Sequence, residues 1–572
     1  MLFNLLIWIY VFITTFALGR LLFFTLGIDV KKSFGLANIC VEDICMAGFM
    51  VSTVYAQIFS LFSGVGLIAN ILLVLVSAVF YIIHFSKCKE NSISSCIKKI
   101  EPIKCIFILF LAIIMAYGAS RGYFHLDSDL YHGQSIHWIE DYGVVRGLGN
   151  LHGRLAYNSS SFAMQALYSF SYLGGRSYHA CAGFVALLLM VSSLKLLHVF
   201  KDKTVLLSDF ARIASIYYVL NIYDEISSPA SDYFAMLLIC YIAIRLVEGA
   251  ENKADADFYA IPSLLAFFDL TVKLSTAPLC MVVLIPFVMF LRSGNIKQIL
   301  KYAASVLIIL IPFFLRNYII SGWLLYPSTA IDIFDPDWKV SAEAAVTDAD
   351  YIVAFGRGYS NMGAAHYALS EWFPHWVEGL GRTEKLLLIA CIVGAIVWIC
   401  GFIIGFVKRK KKDTYDKFTS DYVIFSYVVS FAFWIFTSPL VRYGQGYLLM
   451  VPFLAFGSVY VRIMNLFGDK KKSLYLSKIV ICFIGLFLVY KGIMLGKYMK
   501  SVDYEPYYVQ PQDYGVYDTY KVDLGGQHYV YVPADNGALT GYYDFPSVPV
   551  NLNLPELYEP EADDFSGGFM PQ

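Results

Sequence analysis

Charge is scarce in this chain: 15% of its 572 residues are charged, against 58% hydrophobic. That is too little polar surface to cover the several soluble domains such a length would otherwise make. Cysteine is missing where a disulfide framework would need it. The eleven cysteines fall in apolar runs and in the short connections holding Cys40, Cys88 and Cys96, while the long hydrophilic segments 121–177, 317–383 and 498–572 have none and no CxxC pair occurs. A disulfide scaffold and a zinc ribbon are thereby excluded. The net charge of −1 argues against a nucleic-acid binder. There is no short-period repeat and no low-complexity stretch. Gly147-Leu148-Gly149-Asn150 is a turn and not a phosphate loop, since no strand precedes it. The first apolar run, Leu2 to Ile28, lacks a basic leader and a small-residue cleavage site, so it reads as a retained helix.

Long apolar runs are what the chain has in their place. Ile106 to Tyr117, Phe184 to Leu197 and Leu386 to Val407, with their flanks, are long enough to cross a hydrocarbon layer as helices. The pattern predicts an all-α polytopic membrane protein of about 14 transmembrane helices. The expected spans are 2–27, 45–63, 65–86, 103–120, 178–199, 205–222, 232–249, 256–271, 273–292, 298–315, 384–407, 421–439, 444–463 and 475–497.

Alternation then collects Lys31, Lys32, Lys87, Lys89, Lys98, Lys99, Lys201, Lys203, Arg292, Lys297, the run Lys408-Arg409-Lys410-Lys411-Lys412 and Lys470-Lys471-Lys472 on one side, which the positive-inside rule makes the cytoplasm. The large loops and the tail fall on the opposite side. The organisation expected is N-terminal helices over 1–120, a first large external loop over 121–177, central helices over 178–316, a second large external loop over 317–383, C-terminal helices over 384–497 and an external tail over 498–572. The tail alternates over Tyr529-Val530-Tyr531-Val532 as strands and turns do, or lies as an irregular peptide on the bundle.

The first loop has the composition of a site. It carries Asp127, Asp129, Glu140 and Asp141 with four of the chain's ten histidines, His125, His132, His137 and His152, among Tyr131, Trp138 and other aromatic residues. A carboxylate just outside the bilayer can take the proton of an attacking hydroxyl, and partial burial raises its basicity. Asp127 is read as such a functional carboxylate, or as an N-cap for the stretch Leu130 to Glu140. Asp129 is either a partner to it or an N-cap for the stretch Leu130 to Glu140. Asn158-Ser159-Ser160 matches a glycosylation sequon.

These residues resemble the GT-C superfamily of membrane glycosyltransferases, whose mark is an acidic residue in the first large external loop. The run Asp127-Ser128-Asp129-Leu130-Tyr131-His132, then Trp138-Ile139-Glu140, Gly147-Leu148-Gly149-Asn150-Leu151-His152-Gly153-Arg154 and Asn158-Ser159-Ser160, is similar to a bacterial branch of multi-pass proteins of largely uncharacterised role. The likeness continues through Ser227-Ser228-Pro229-Ala230-Ser231-Asp232, Lys273-Leu274-Ser275, Arg316-Asn317-Tyr318 and Arg442-Tyr443-Gly444. The resemblance implies a GT-C-like bundle in a bacterial inner membrane. It also implies a polyprenyl-phosphate sugar donor, a glycan or lipid-linked acceptor, and Asp127 as base. Many members have two adjacent acids in that loop, whereas Ser128 separates Asp127 from Asp129 here, and Asp232 is the alternative second acid.

Charges that break the topology rule are the remaining candidates. Arg316 and Arg442 each sit at an outer helix end, where a guanidinium can bind a departing phosphate or anchor to headgroups. Lys273 either meets such a phosphate or neutralises Asp269 four residues before it. His132, Tyr131, His152, Arg154 and Trp138 complete the expected substrate-binding set. A divalent metal, Mg or Mn, could assist, but no ligand spacing requires one. The function expected is an inverting hexosyl- or pentosyltransferase on the external face. The alternatives are a surface-polysaccharide polymerase or ligase led by arginines, and a flippase of lipid-linked sugars.

Overall fold

A computed structural model of the chain describes residues 1–28, 39–85, 102–121, 124–407, 416–466, 470–501, 507–525, 528–535, 537–549 and 565–570. The basic positions Lys31, Lys32, Lys87, Lys89, Lys98, Lys99 and the run 408–412 lie outside these residues. Helices dominate, as apolar runs in a low-dielectric solvent require, since each backbone group must be paired within its own segment. Among the described residues, ten helices are long and apolar enough to cross a membrane. The count of 14 is therefore not reached. The stretches expected over 65–86 and 103–120 form shorter apolar helices, Leu67–Ile83 and Lys104–Gly118. Those over 205–222 and 256–271 form Leu207–Asn221, of 15 residues, and Ala256–Val272, of 17. The first pair keeps exposed apolar faces, whereas the second pair is mostly buried in the bundle.

The helix Ser231–Glu251 is the axis of the bundle, with its hydrophobic window wholly buried among neighbours. Outer helices present Leu386, Ile389, Ile392 and Ile396, or Phe483, Leu486 and Val489, to the surroundings. Such a surface is costly in water and natural against lipid. Between the first two helices packing reaches backbone contact. A Cβ at Gly19 would stand 1.8 Å from the Ile44 carbonyl oxygen, and one at Gly48 would stand 1.7 Å from that of Thr15. Only small residues allow helices this close, and close approach replaces the hydrophobic drive that lipid does not supply.

The two ends of the bundle differ. One carries a buried ionic network in which Arg245 meets Asp43 at 2.7 Å and Glu248, while Arg212 meets Asp209 at 2.7 Å and the same Glu248. At the other end, the first loop, the second loop and the tail pack on one another. The tail forms an antiparallel hairpin of Thr519–Gly525 and His528–Pro533, whose inward residues Val530 and Val532 join a small core with Trp138, Leu148, Trp323 and Phe569. The amine of Met1 closes this end by donating to the Tyr507 carbonyl at 2.7 Å.

Candidate functional site

Four segments meet at the loop end. Asp127 directly precedes the π-helical turn Ser128–His132. Asp232 lies in the first turn of Ser231–Glu251, Lys273 ends Ala256–Val272, and Arg442 lies in the first turn of Val441–Leu466. Local contacts set this convergence. The Ser128 and Ser228 hydroxyls bond at 2.7 Å, tying the loop to the connection that leads into Asp232. Trp376 donates Nε1 to the Pro439 carbonyl at 2.8 Å, fixing the turn that leads into Arg442. Two helix N-termini thus point their positive ends at one place, a setting that favours anions.

Arg442 bridges the two acids, with Nη2 2.6 Å from Asp127 Oδ2 and Nε 3.0 Å from Asp232 Oδ2. Its Nη1 donates to the His125 ring. The Lys273 ammonium pairs with Asp232 Oδ1 and stands 3.6 Å over the Tyr443 ring. Two cations and two anions therefore neutralise one another. The Asp127 and Arg442 side chains keep 21% and 23% exposure, enough for a ligand to reach them, against 9% for Asp232.

Burial opposes the charge on Asp127, but Arg442, followed by His132 and His125, outweighs it and holds the carboxyl below its ordinary value of 3.8. His125 is lowered by burial and then by Arg442. Burial takes His132 to about 3 against the pull of Asp127 and Asp232. Its Nδ1 is buried with no hydrogen-bond partner among the described residues. Tyr131 packs edge-on against His132, ring centres 4.4 Å apart, and Asp127, Tyr443 and Asp232 raise its hydroxyl further after burial has done most.

The expected residues divide into those in this cluster and those elsewhere. Asp127, Asp232, Lys273, Arg442, His132 and Tyr131 gather; Asp129, Arg316, Trp138, His152 and Arg154 do not. Asp129 faces away and anchors the tail. Its carboxylate accepts from the Gly515 amide and the Tyr517 hydroxyl, each at 3.0 Å, and its carbonyl accepts from the Thr540 and Gly541 amides. It makes no capping bond to the turn that follows it, since its oxygens are used this way.

Trp138 is fully buried beneath the tail against Phe545, Phe565 and Phe569, so its faces are closed to a sugar. Arg316 is 1% exposed and has no carboxylate partner among the described residues. It donates to Asn158 Oδ1 at 3.0 Å and to Ser60, so it braces the bundle and is closed to a phosphate. The sequon amide of Asn158 is spent on that bond and on the Phe313 carbonyl at 3.1 Å. Lys273 does not neutralise Asp269. The helix ends at Val272, the extended backbone at Lys273 turns its ammonium to Asp232, and both Asp269 oxygens lack a hydrogen bond among the described residues.

His125 and Tyr443 were not among the expected site residues, although His125 was noted among the first loop's histidines and Tyr443 within Arg442-Tyr443-Gly444. Among the described residues, no group of three or more His, Cys, Asp or Glu has the geometry to hold a metal ion. Arg442 spans the two acids, and Lys273 meets Asp232 alone.

Asp129→Ala should release the tail without altering the cluster. Losing two hydrogen bonds to a charged acceptor costs about 1.5–3 kcal/mol each. Limited proteolysis should then cut within 507–549 faster than in the native chain, and equal cutting rates would refute the anchoring role.

Helix content, hydropathy and outward apolar faces together define a multi-pass membrane protein with a charged cluster at one end of its bundle. Residues 1–449 match the model of a family described as Domain of unknown function (DUF8201), and the chain belongs to that family. The matched region takes in Asp127, Asp232, Lys273 and Arg442, while the last helix and the tail lie beyond it. No curated protein and no solved structure matches the chain.

Proposed function

We propose that this protein is a GT-C-type glycosyltransferase that moves a hexose or pentose from a polyprenyl-phosphate donor to a saccharide acceptor outside the cytoplasmic membrane of a bacterium. The observation that carries the reading is the bridged cluster: a reachable carboxylate held by a guanidinium, with a second cation beside it, where two membrane helices begin. The donor's phosphodiester competes with Asp127 for Arg442, because its two non-bridging oxygens offer a guanidinium a bidentate, singly charged partner. Its arrival frees Asp127 from its counter-ion. The acceptor hydroxyl then attacks the anomeric carbon and its proton passes to Asp127. The bond from that carbon to the phosphate oxygen breaks, and the electron pair leaves on the phosphate, where Arg442 and Lys273 balance it. Attack opposite the leaving group inverts the anomeric centre. Arg316 has no part in this step.

The reading has a pH signature. A carboxylate with a lowered folded-state value contributes stability that is present above its unfolded value and lost as pH falls through the folded one. Asp127 is therefore ionised from neutrality down past 3.8 in the free enzyme. His125 and His132 both sit below the ordinary 6.5 and stay neutral near pH 7. The profile of kcat/KM should accordingly show no inflection near 6.5. Transfer from polyprenyl-phosphate hexoses and pentoses by the protein in proteoliposomes measures it. A limb at 6.5 would mean that a histidine carries the proton, and absence of transfer from every such donor would remove the reading.

A further inference from the structure

A second feature of the loop end is a cavity of about 660 Å³ between the first and second loops. It falls within the range of roughly 300–1,000 Å³ usual for ligand sites. Its walls carry His152 and Arg154 from the first loop and Tyr326, Glu343, Asp348 and Tyr351 from the second. The described residues of the tail are not among those that line it.

The groove is built from groups that recognise hydroxyls. The Asp348 carboxylate is fixed at one oxygen by the Tyr157 hydroxyl at 2.8 Å. Its other oxygen is buried and, among the described residues, accepts no hydrogen bond of good geometry, with the Tyr326 hydroxyl near it. Burial raises the Asp348 carboxyl despite Tyr157, Tyr326 and Arg154. Arg154 lines the cavity and makes no ion pair among the described residues, which leaves its donors available to a ligand. Tyr351 is 38% exposed and offers a ring face on which sugar C–H surfaces stack. Two acids face one guanidinium, and burial and Arg154 take His152 to about 3, so it adds no charge. That balance repels a polyanionic chain. Two packed tyrosines stand between the groove and the cluster. Tyr157 packs edge-on against Tyr131 with ring centres 5.8 Å apart, and Tyr131 lies beside Asp127 and Asp232.

We propose that this groove is the acceptor subsite and takes a neutral or amino-sugar-bearing saccharide. The assignment rests on the transferase reading, but its test reads binding and not transfer. The protein in lipid nanodiscs is titrated calorimetrically with maltotriose, a glucosamine trimer and trigalacturonate. One of the first two should bind and the third should not. Arg154→Ala should weaken binding about tenfold. Gly153→Leu should do the same by filling the groove, since a Cβ there meets only the Tyr326 hydroxyl at 3.6 Å. Asp127→Asn should bind as the native protein does, and melting temperatures equal to the native one show that the variants fold. Preference for trigalacturonate, binding of none of the three, or binding unchanged by both groove variants would overturn the subsite. Groove binding combined with full transfer by Asp127→Asn would leave the subsite standing and remove the base.

Discussion

Asp127→Asn should lower transfer by about two to four orders of magnitude, the range a positioned general base contributes. The amide keeps the shape of the carboxyl and can still accept from Arg442, so insertion and melting temperature should change little. What it cannot do is take a proton from an acceptor hydroxyl. The kinetic form of the loss distinguishes base from binder: kcat should fall with KM for the donor nearly unchanged, since the proposal gives phosphate binding to Arg442 and Lys273. Donor turnover in proteoliposomes, with protein quantity matched, measures it. Retained turnover would favour a polymerase or ligase in which the arginine leads.

Arg442→Ala should have the second large effect, on stability as well as activity. Removing the guanidinium leaves Asp127 with His125 alone and Asp232 with Lys273 alone. Breaking a buried pair by deleting one partner costs about 3–5 kcal/mol, and the partial exposure of Asp127 places this case near the lower figure. A second change separates the two roles. Adding Asp127→Asn to Arg442→Ala removes the uncompensated charge and should restore much of the melting temperature without restoring transfer. Should the double variant regain activity, the pair would be a structural bridge only. Arg442→Lys keeps the charge but not the fork that spans both acids, so it should fall between native and alanine in both measurements.

The helices of this protein are legible from hydropathy, because in lipid an apolar run has to be a helix. The four stretches that are shorter helices were not legible as such. Leu207–Asn221 and Ala256–Val272 are shorter than the spans, and each carries charged residues within the helix, Asp209 and Arg212 in the first and Asp257 and Asp269 in the second. Charges at helix ends were legible as exceptions, and three such positions divided by what the fold places near them. Arg442 and Lys273 met carboxylates, whereas Arg316 met an amide and a hydroxyl. Nothing local separates these cases, because the partner of Arg442 lies 315 residues away. The first loop divided in the same way. Two residues along a tight turn send Asp127 to the cluster and Asp129 to the tail. Trp138 could have faced a sugar, but the phenylalanines that cover it come from the tail's far end. The Asp348 groove was legible only in part: His152 and Arg154 stood among the expected substrate-binding residues, but its other wall comes from a loop distant in the chain.

The most direct test of the account is a cryo-electron microscopy structure in lipid nanodiscs with a phosphonate analogue of a polyprenyl-phosphate sugar. The account predicts the phosphonate within hydrogen-bond distance of Arg442 and Lys273, the Arg442 contact to Asp127 opened, and the anomeric carbon facing Asp127. A phosphonate seated elsewhere, with Arg442 still bridging Asp127 and Asp232, would contradict it.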